Sequence, residues 1–158
     1  MLHILAVVVG FGPLMLAGAF GVKAKSRPGP EGLAIAETTY DVMRTYAEWA
    51  VYAVPVFGIL LVLTSDDAWK FSQTWVSVSF LLYFVGLGLA HAVHFKNLKR
   101  MNQLMAELVA GPGGGGAAGR PPQVAELEQR GRQAAIVGGI LNLIVVVIIV
   151  LMVWKPGR

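Results

Sequence analysis

The chain has 158 residues, 56% hydrophobic and only 14% charged, whereas an average soluble domain is about a quarter charged, so an ordinary soluble class is excluded. It has no cysteine, which removes disulfides, thiolate metal sites, iron-sulfur clusters and cysteine nucleophiles together. The net charge of +4 would suit nucleic acid, but basic residues beside apolar segments are first explained by membrane topology, so no nucleic-acid partner is expected.

Leu2 to Val22 carries no charge apart from a possible proton on His3, and Lys23, Lys25 and Arg27 follow it. A secretory signal places its positive charges before the apolar run, so a retained first transmembrane helix is expected at 2–22. Pro13 predicts a kink, because a proline inside a helix frees a carbonyl that a neighbouring helix must satisfy. Pro28, Gly29, Pro30 and Gly32 predict a turn.

From Leu33 the pattern is helical. Glu37, Asp41, Arg44 and Glu48, at spacings of four, three and four, predict one charged stripe on an extension outside the membrane. A second span follows at 46–64, with Trp49 and Tyr52 as interface anchors and a bend at Pro55 and Gly58. Thr64 to Lys70 is a polar turn short enough to make its flanking spans antiparallel neighbours, with Asp66 and Asp67 as solvated charges.

The third span, 71–95, is FSQTWVSVSFLLYFVGLGLAHAVHF, bracketed by Lys70 and Lys96. At ~1.5 Å per residue it exceeds the ~30 Å hydrocarbon core. Leu98, Met101, Met105 and Leu108 predict that it continues as an amphipathic helix. Residues 110–122 form a glycine-rich linker with neither the Gly-Lys-Ser or Gly-Lys-Thr ending nor the preceding strand of a phosphate loop. The fourth span is 134–154, after a polar helical approach and before Lys155, Pro156 and Gly157. The fold class is therefore all-α, a single polytopic domain of four transmembrane helices with cytoplasmic helical extensions. Ten basic residues lie in the first and third connections with their flanks, against Lys70, Lys155 and Arg158 on the other side. The expected location is a bacterial cytoplasmic membrane with both termini outside.

Ionisable groups at membrane depth are costly and so are functional candidates: His3, His91 and His94, with Asn142 as the one buried amide. His91 and His94, three apart, are expected on one helix face, as for a metal site or a proton relay, or as a plain interfacial contact. A haem bridging His3 and His91 is disfavoured by an expected separation of ~30 Å in depth. No span shows a catalytic constellation or a central acidic residue, which weighs against an enzyme or a self-contained transporter. Small residues at packing intervals are the more specific signal: Gly10 and Gly12 in the first span, Gly86 and Ala90 in the third. Ala134, Gly138 and Asn142 continue it in the fourth, with Ala135 and Gly139 as a second, offset pair.

FGPLMLAG after an early histidine, WVSVSFLL opening span three and the closing NLIVVVIIVLMVWKPG together resemble the bacterial domain-of-unknown-function 2269 proteins. That resemblance implies a four-span membrane protein with no assigned activity. A more distant one is to copper-resistance D type membrane domains, which implies an outer-end histidine at His3. Gly10 and Pro13 stand where that pattern has tryptophan and its second glycine, which weakens a haem or copper inference. The expected function is a non-enzymatic accessory or stabilising subunit without a cofactor, in contact with lipid and with other membrane subunits or copies of itself. The alternative is a membrane protein binding haem b or copper through His3, His91 or His94; a small transporter or lipid-handling protein is a third reading.

Overall fold

The computed structural model describes residues 1–66, 68–111 and 121–156. Asp67 and most of the expected 110–122 linker lie outside the described residues. Among the described residues, four helices are long and apolar enough to cross a membrane: Leu2–Ser26, Pro30–Leu63, Thr74–Ala110 and Pro122–Trp154. They are called the first to fourth helices below. Among the described residues there is no strand, as expected where each backbone group must be satisfied within its own segment.

The first helix packs along the second and the third along the fourth, while the second and third helices meet mainly through their charged extensions. The start of the first helix, the end of the fourth and the turn after Leu63 share one end of the bundle, here the terminal end. There Lys155 holds its Nζ 3.9 Å above the Trp69 ring and 5.9 Å from that of Trp75. The extensions occupy the opposite end. Leu2, Leu5, Leu81, Phe84, Ile136 and Leu143 are exposed, which in a four-helix membrane protein is the surface that meets acyl chains.

The turn between the first two helices is as tight as its composition predicts. Gly29 has φ +91°, and a Cβ on Gly32 would collide with the carbonyl of Arg27. Pro13 leaves the first helix continuous, as Pro55 does the second. The third helix starts at Thr74, three residues after the expected start at Phe71, because Gln73 takes an extended conformation before the first turn. Lys70 N–H donates to Gln73 Oε1 at 3.2 Å and Ser77 Oγ to the Phe71 carbonyl at 2.7 Å, which closes this entry turn.

Gly10 lies directly against the second helix: a Cβ there would stand 2.9 Å from the Val51 backbone nitrogen. On the amphipathic extension of the third helix, Leu104 is fully buried. Asn97, 4% exposed, joins this helix to the fourth by donating from Nδ2 to the Arg130 carbonyl at 2.9 Å, and it accepts from Arg130 Nη1 at 3.2 Å. The expectation that Asn142 is the one buried amide is thus corrected, since Asn142 is half-buried and Asn97 is the enclosed one. Asn97 lies just past Lys96, on the extension, where the fourth helix still covers the third.

Two wide π-helical turns interrupt the long helices: Met43–Ala47 in the second and Ala90–His94 in the third. Such a turn holds an extra residue, so side chains beyond it are rotated by roughly one residue's step, ~100°. That rotation determines the site.

A polar cluster where two wide turns meet

The Met43–Ala47 turn carries Glu48 out of phase with Glu37, Asp41 and Arg44. These three are exposed, whereas the Glu48 side chain keeps 13% of its exposure and lines an interior cavity. The expected uniform outward stripe is therefore corrected at its last member. Glu48 accepts from Arg44 Nη1 at 2.7 Å and from Tyr52 Oη at 2.6 Å. Arg44 in turn lies over the Phe95 ring, 5.1 Å from its centroid, so a cation and a carboxylate share an aromatic-walled corner.

Tyr52 Oη is also 2.8 Å from His91 Nε2. The Tyr52 hydroxyl has a single proton, and the carboxylate can only accept it. His91 must therefore donate from Nε2–H to the Tyr52 oxygen. The result is a directed chain, His91 to Tyr52 to Glu48, linking the third helix to the second. Tyr52 is thus more than the interface anchor expected of it, and the Tyr52 and His91 rings stack with centroids 6.1 Å apart.

His94 belongs to a different environment. Across the Ala90–His94 turn it swings against the fourth helix, where a Cβ on Gly138 would stand 3.4 Å from His94 Cε1. His94 is 8% exposed and its Nδ1 has no hydrogen-bond partner within the protein. The two histidines line one cavity of about 80 Å³, together with Glu48, Tyr83, Gly138 and Asn142, yet contact different helices. A volume of that size holds a few water molecules. Among the described residues no group of three or more His, Asp or Glu side chains is gathered as a metal site.

His3 is separate from this cluster. Its Nδ1 lies 3.0 Å from the Val54 carbonyl, which can only accept, so the proton is on Nδ1. The ring also lies over Gly58. The level midway between Val54 and Gly58 is six residues above the level midway between Glu48 and Tyr52, which His91 touches. The depth offset between His3 and His91 is then roughly 9 Å, and the expected ~30 Å is corrected. Part of the difference is that the first helix begins level with Gly58, five residues short of Leu63, and that the third begins at Thr74, three residues after Phe71; the rest is that the two rings reach towards each other along the second helix.

Of the small residues expected at packing faces, Gly10 meets Val51, Gly86 meets Ile144, and Gly138 meets His94. Ala90 and Asn142 line or adjoin the same cavity, and Ala134 is half-buried. A Cβ on Gly12 or Gly139 would meet nothing within 4 Å.

Sequence reasoning did not single out Tyr83, although a signal for it was present. Pro55 has no N–H, which leaves the Val51 carbonyl without its helical partner. Tyr83 Oη, from the third helix, donates to that carbonyl at 3.1 Å. A proline in one span and a tyrosine in another is the pattern to look for.

Comparison with curated proteins and with solved structures returned no match. A family model described as a predicted integral membrane protein, domain of unknown function 2269, matches residues 1–156, and the chain therefore belongs to that family.

Proposed function

We propose that this protein is a non-enzymatic accessory subunit that packs against a transmembrane helix of another membrane protein through the outward small-residue stripe of its fourth helix. The observation that supports this reading is the division of labour between adjacent glycines. Gly138 is closed by His94 inside the bundle, while Gly139 faces open space and Ala135, one turn away, is exposed beside Ile136, Ile140 and Leu143. Small residues four apart on a lipid-facing surface let a second helix backbone approach closely, and van der Waals packing drives such association where no hydrophobic effect separates helix from lipid. In the same proposal the chain sits in a bacterial cytoplasmic membrane with both termini outside, a reading supported by the distribution of its basic residues.

The haem or copper reading draws less support from the donors. His3 Nδ1 is engaged by Val54, His91 Nε2 by Tyr52, and the His94 ring is enclosed against Gly138.

Affinity purification from native membranes tests the proposal. Gly139→Leu is expected to leave insertion and thermal stability unchanged and to lose the co-purifying membrane protein. Gly138→Leu is expected to lower thermal stability itself, because leucine must displace the His94 ring. Wild-type protein that brings down no stoichiometric membrane partner, or Gly139→Leu that keeps one, overturns it.

A further inference from the structure

The first two helices do not turn charged at the same depth. Gly10 meets Val51, and Arg44 follows seven positions further towards the extension end, one of them taken up by the wide turn Met43–Ala47. Counting roughly six residues of rise from Gly10 puts Arg44 level with Leu16. Arg44 lies over Phe95, the neighbour of Lys96, so the third helix turns charged near that level too. The first helix stays uncharged as far as Lys23, roughly seven residues or ~10 Å further out. Leu16, Phe20 and Val22 within that stretch are exposed. Apolar surface held past the first charges of the neighbouring helices marks an interaction site.

Beside it, a groove of about 420 Å³ runs between the first helix and the start of the second. Glu31, Ala34, Ile35, Thr38, Thr39 and Val42 line its second-helix wall, and their intervals alternate between three and one, which is one continuous helix face. Pro13 and Phe20 form the opposite wall, with Lys23 at the outer end. From Pro13 to Lys23 is ten residues of rise, ~15 Å, half of the ~30 Å hydrocarbon core and so the depth of one leaflet's chains. The Thr39 hydroxyl donates to the Ile35 carbonyl at 2.7 Å, which leaves the groove apolar below its mouth apart from Thr38.

The charges at the mouth are not equivalent. Glu31 is paired with Arg27, whereas Lys23 has no ion-pair partner among the described residues. Glu37 and Asp41 are exposed on another flank of the second helix and do not line the groove. One uncompensated cation therefore stands above an apolar slot one leaflet deep.

We propose that this groove binds one anionic glycerophospholipid, with an acyl chain along Phe20, Ala34 and Val42 and its phosphate at Lys23. Basic pockets between transmembrane helices recognise anionic lipid heads in this way, and the bound chain covers apolar surface that the other helices leave open. The proposal is independent of the docking surface on the fourth helix, because the groove belongs to the first two helices alone.

Native mass spectrometry of the full-length protein, titrated in detergent with phosphatidylglycerol or with phosphatidylcholine of the same chains, tests it. Wild type is expected to retain one phosphatidylglycerol and to prefer it over phosphatidylcholine. Lys23→Gln is expected to weaken phosphatidylglycerol binding about fivefold, the equivalent of ~1 kcal/mol for one basic residue at an anionic surface. Lys23→Arg and Lys25→Gln, the second of which changes a residue off the groove, are expected to keep the bound lipid. Ala34→Phe fills the slot without altering any charge and is expected to abolish retention of the lipid. Should Ala34→Phe fail to fold, Thr38→Phe fills the same slot from the next turn, and Thr38 is likewise exposed. Equal retention of the two lipids by wild type, or undiminished phosphatidylglycerol binding in folded Lys23→Gln, overturns the proposal. So does undiminished binding in the folded slot-filling variant, which would leave only attraction to surface charge. A lipid-free dimer that the slot-filling variant dissociates also overturns it, and assigns the groove to a second copy of the chain.

Discussion

The Val51 carbonyl shows how one residue type in one helix obliges another elsewhere. Pro55 removes the N–H that would have capped it, and Tyr83 supplies a hydroxyl from 32 residues away in sequence. Tyr83→Phe keeps the ring and removes only that donor. The expected cost in detergent or bicelle unfolding is about 0.6 kcal/mol, the usual size of an interhelical hydrogen bond in a membrane, with an upper bound near 1.7 kcal/mol. A change indistinguishable from zero would mean that the carbonyl finds another donor when Tyr83 lacks its hydroxyl. The same accounting explains why His3 was hard to place from sequence. Its partner is a backbone carbonyl, and backbone groups leave no mark in residue identity.

At the level of whole helices, the runs of apolar residues announced the four spans, because length and uncharged composition are all that a bilayer requires of a helix. The two wide turns were not legible. Met43–Ala47 and Ala90–His94 contain ordinary helix-compatible residues, and nothing in their identity marks the register shift they introduce. Reading through them at uniform spacing sends Glu48 outward with Asp41 and sets His91 and His94 on a common face. The observed arrangement turns Glu48 inward and divides the histidines between two neighbours. The extensions hold a further cluster in which Glu126 accepts from Arg130 Nε at 2.8 Å and from Arg100 Nε at 3.3 Å. Arg130 first, then Arg100, holds the Glu126 carboxyl below its ordinary range. A carboxyl depressed in the folded state stabilises above its unfolded pKa, and that contribution is lost as pH falls through the lower folded value. Amide exchange over residues 122–132 is therefore expected to quicken at acid pH, and less so in Glu126→Gln, which has no such carboxylate to lose. The effect should be modest and should shrink with added salt, since the cluster is open to solvent. Equal acid sensitivity in both proteins would assign it elsewhere.

For the molecule as a whole, the lateral arrangement and the sidedness are separate questions. Lys155 over Trp69 and Trp75 places the end of the fourth helix beside the turn after Leu63, so both must report the same side. Phosphatase fusions at Arg158 and within the Thr64 to Lys70 turn are expected to be active, and a fluorescent protein inserted in the glycine-rich segment is expected to fluoresce. Fluorescence at Arg158 would invert the assignment while leaving the fold intact. Composition foretold the four spans at this scale, since counting apolar runs needs no side-chain geometry. What it could not foretell is how deep each helix sits, because depth is decided by contacts such as Gly10 on Val51 and His3 on Gly58.

The contact of Gly10 with Val51 has a mechanical consequence. With no side chain between them, the first two helices touch backbone to backbone at that level, which makes it a pivot: the pair can scissor about it but cannot separate there without opening the contact. When bilayer thickness changes, the first helix is then expected to answer by tilting about this point, a response that costs fractions of a kcal/mol per ångström of mismatch.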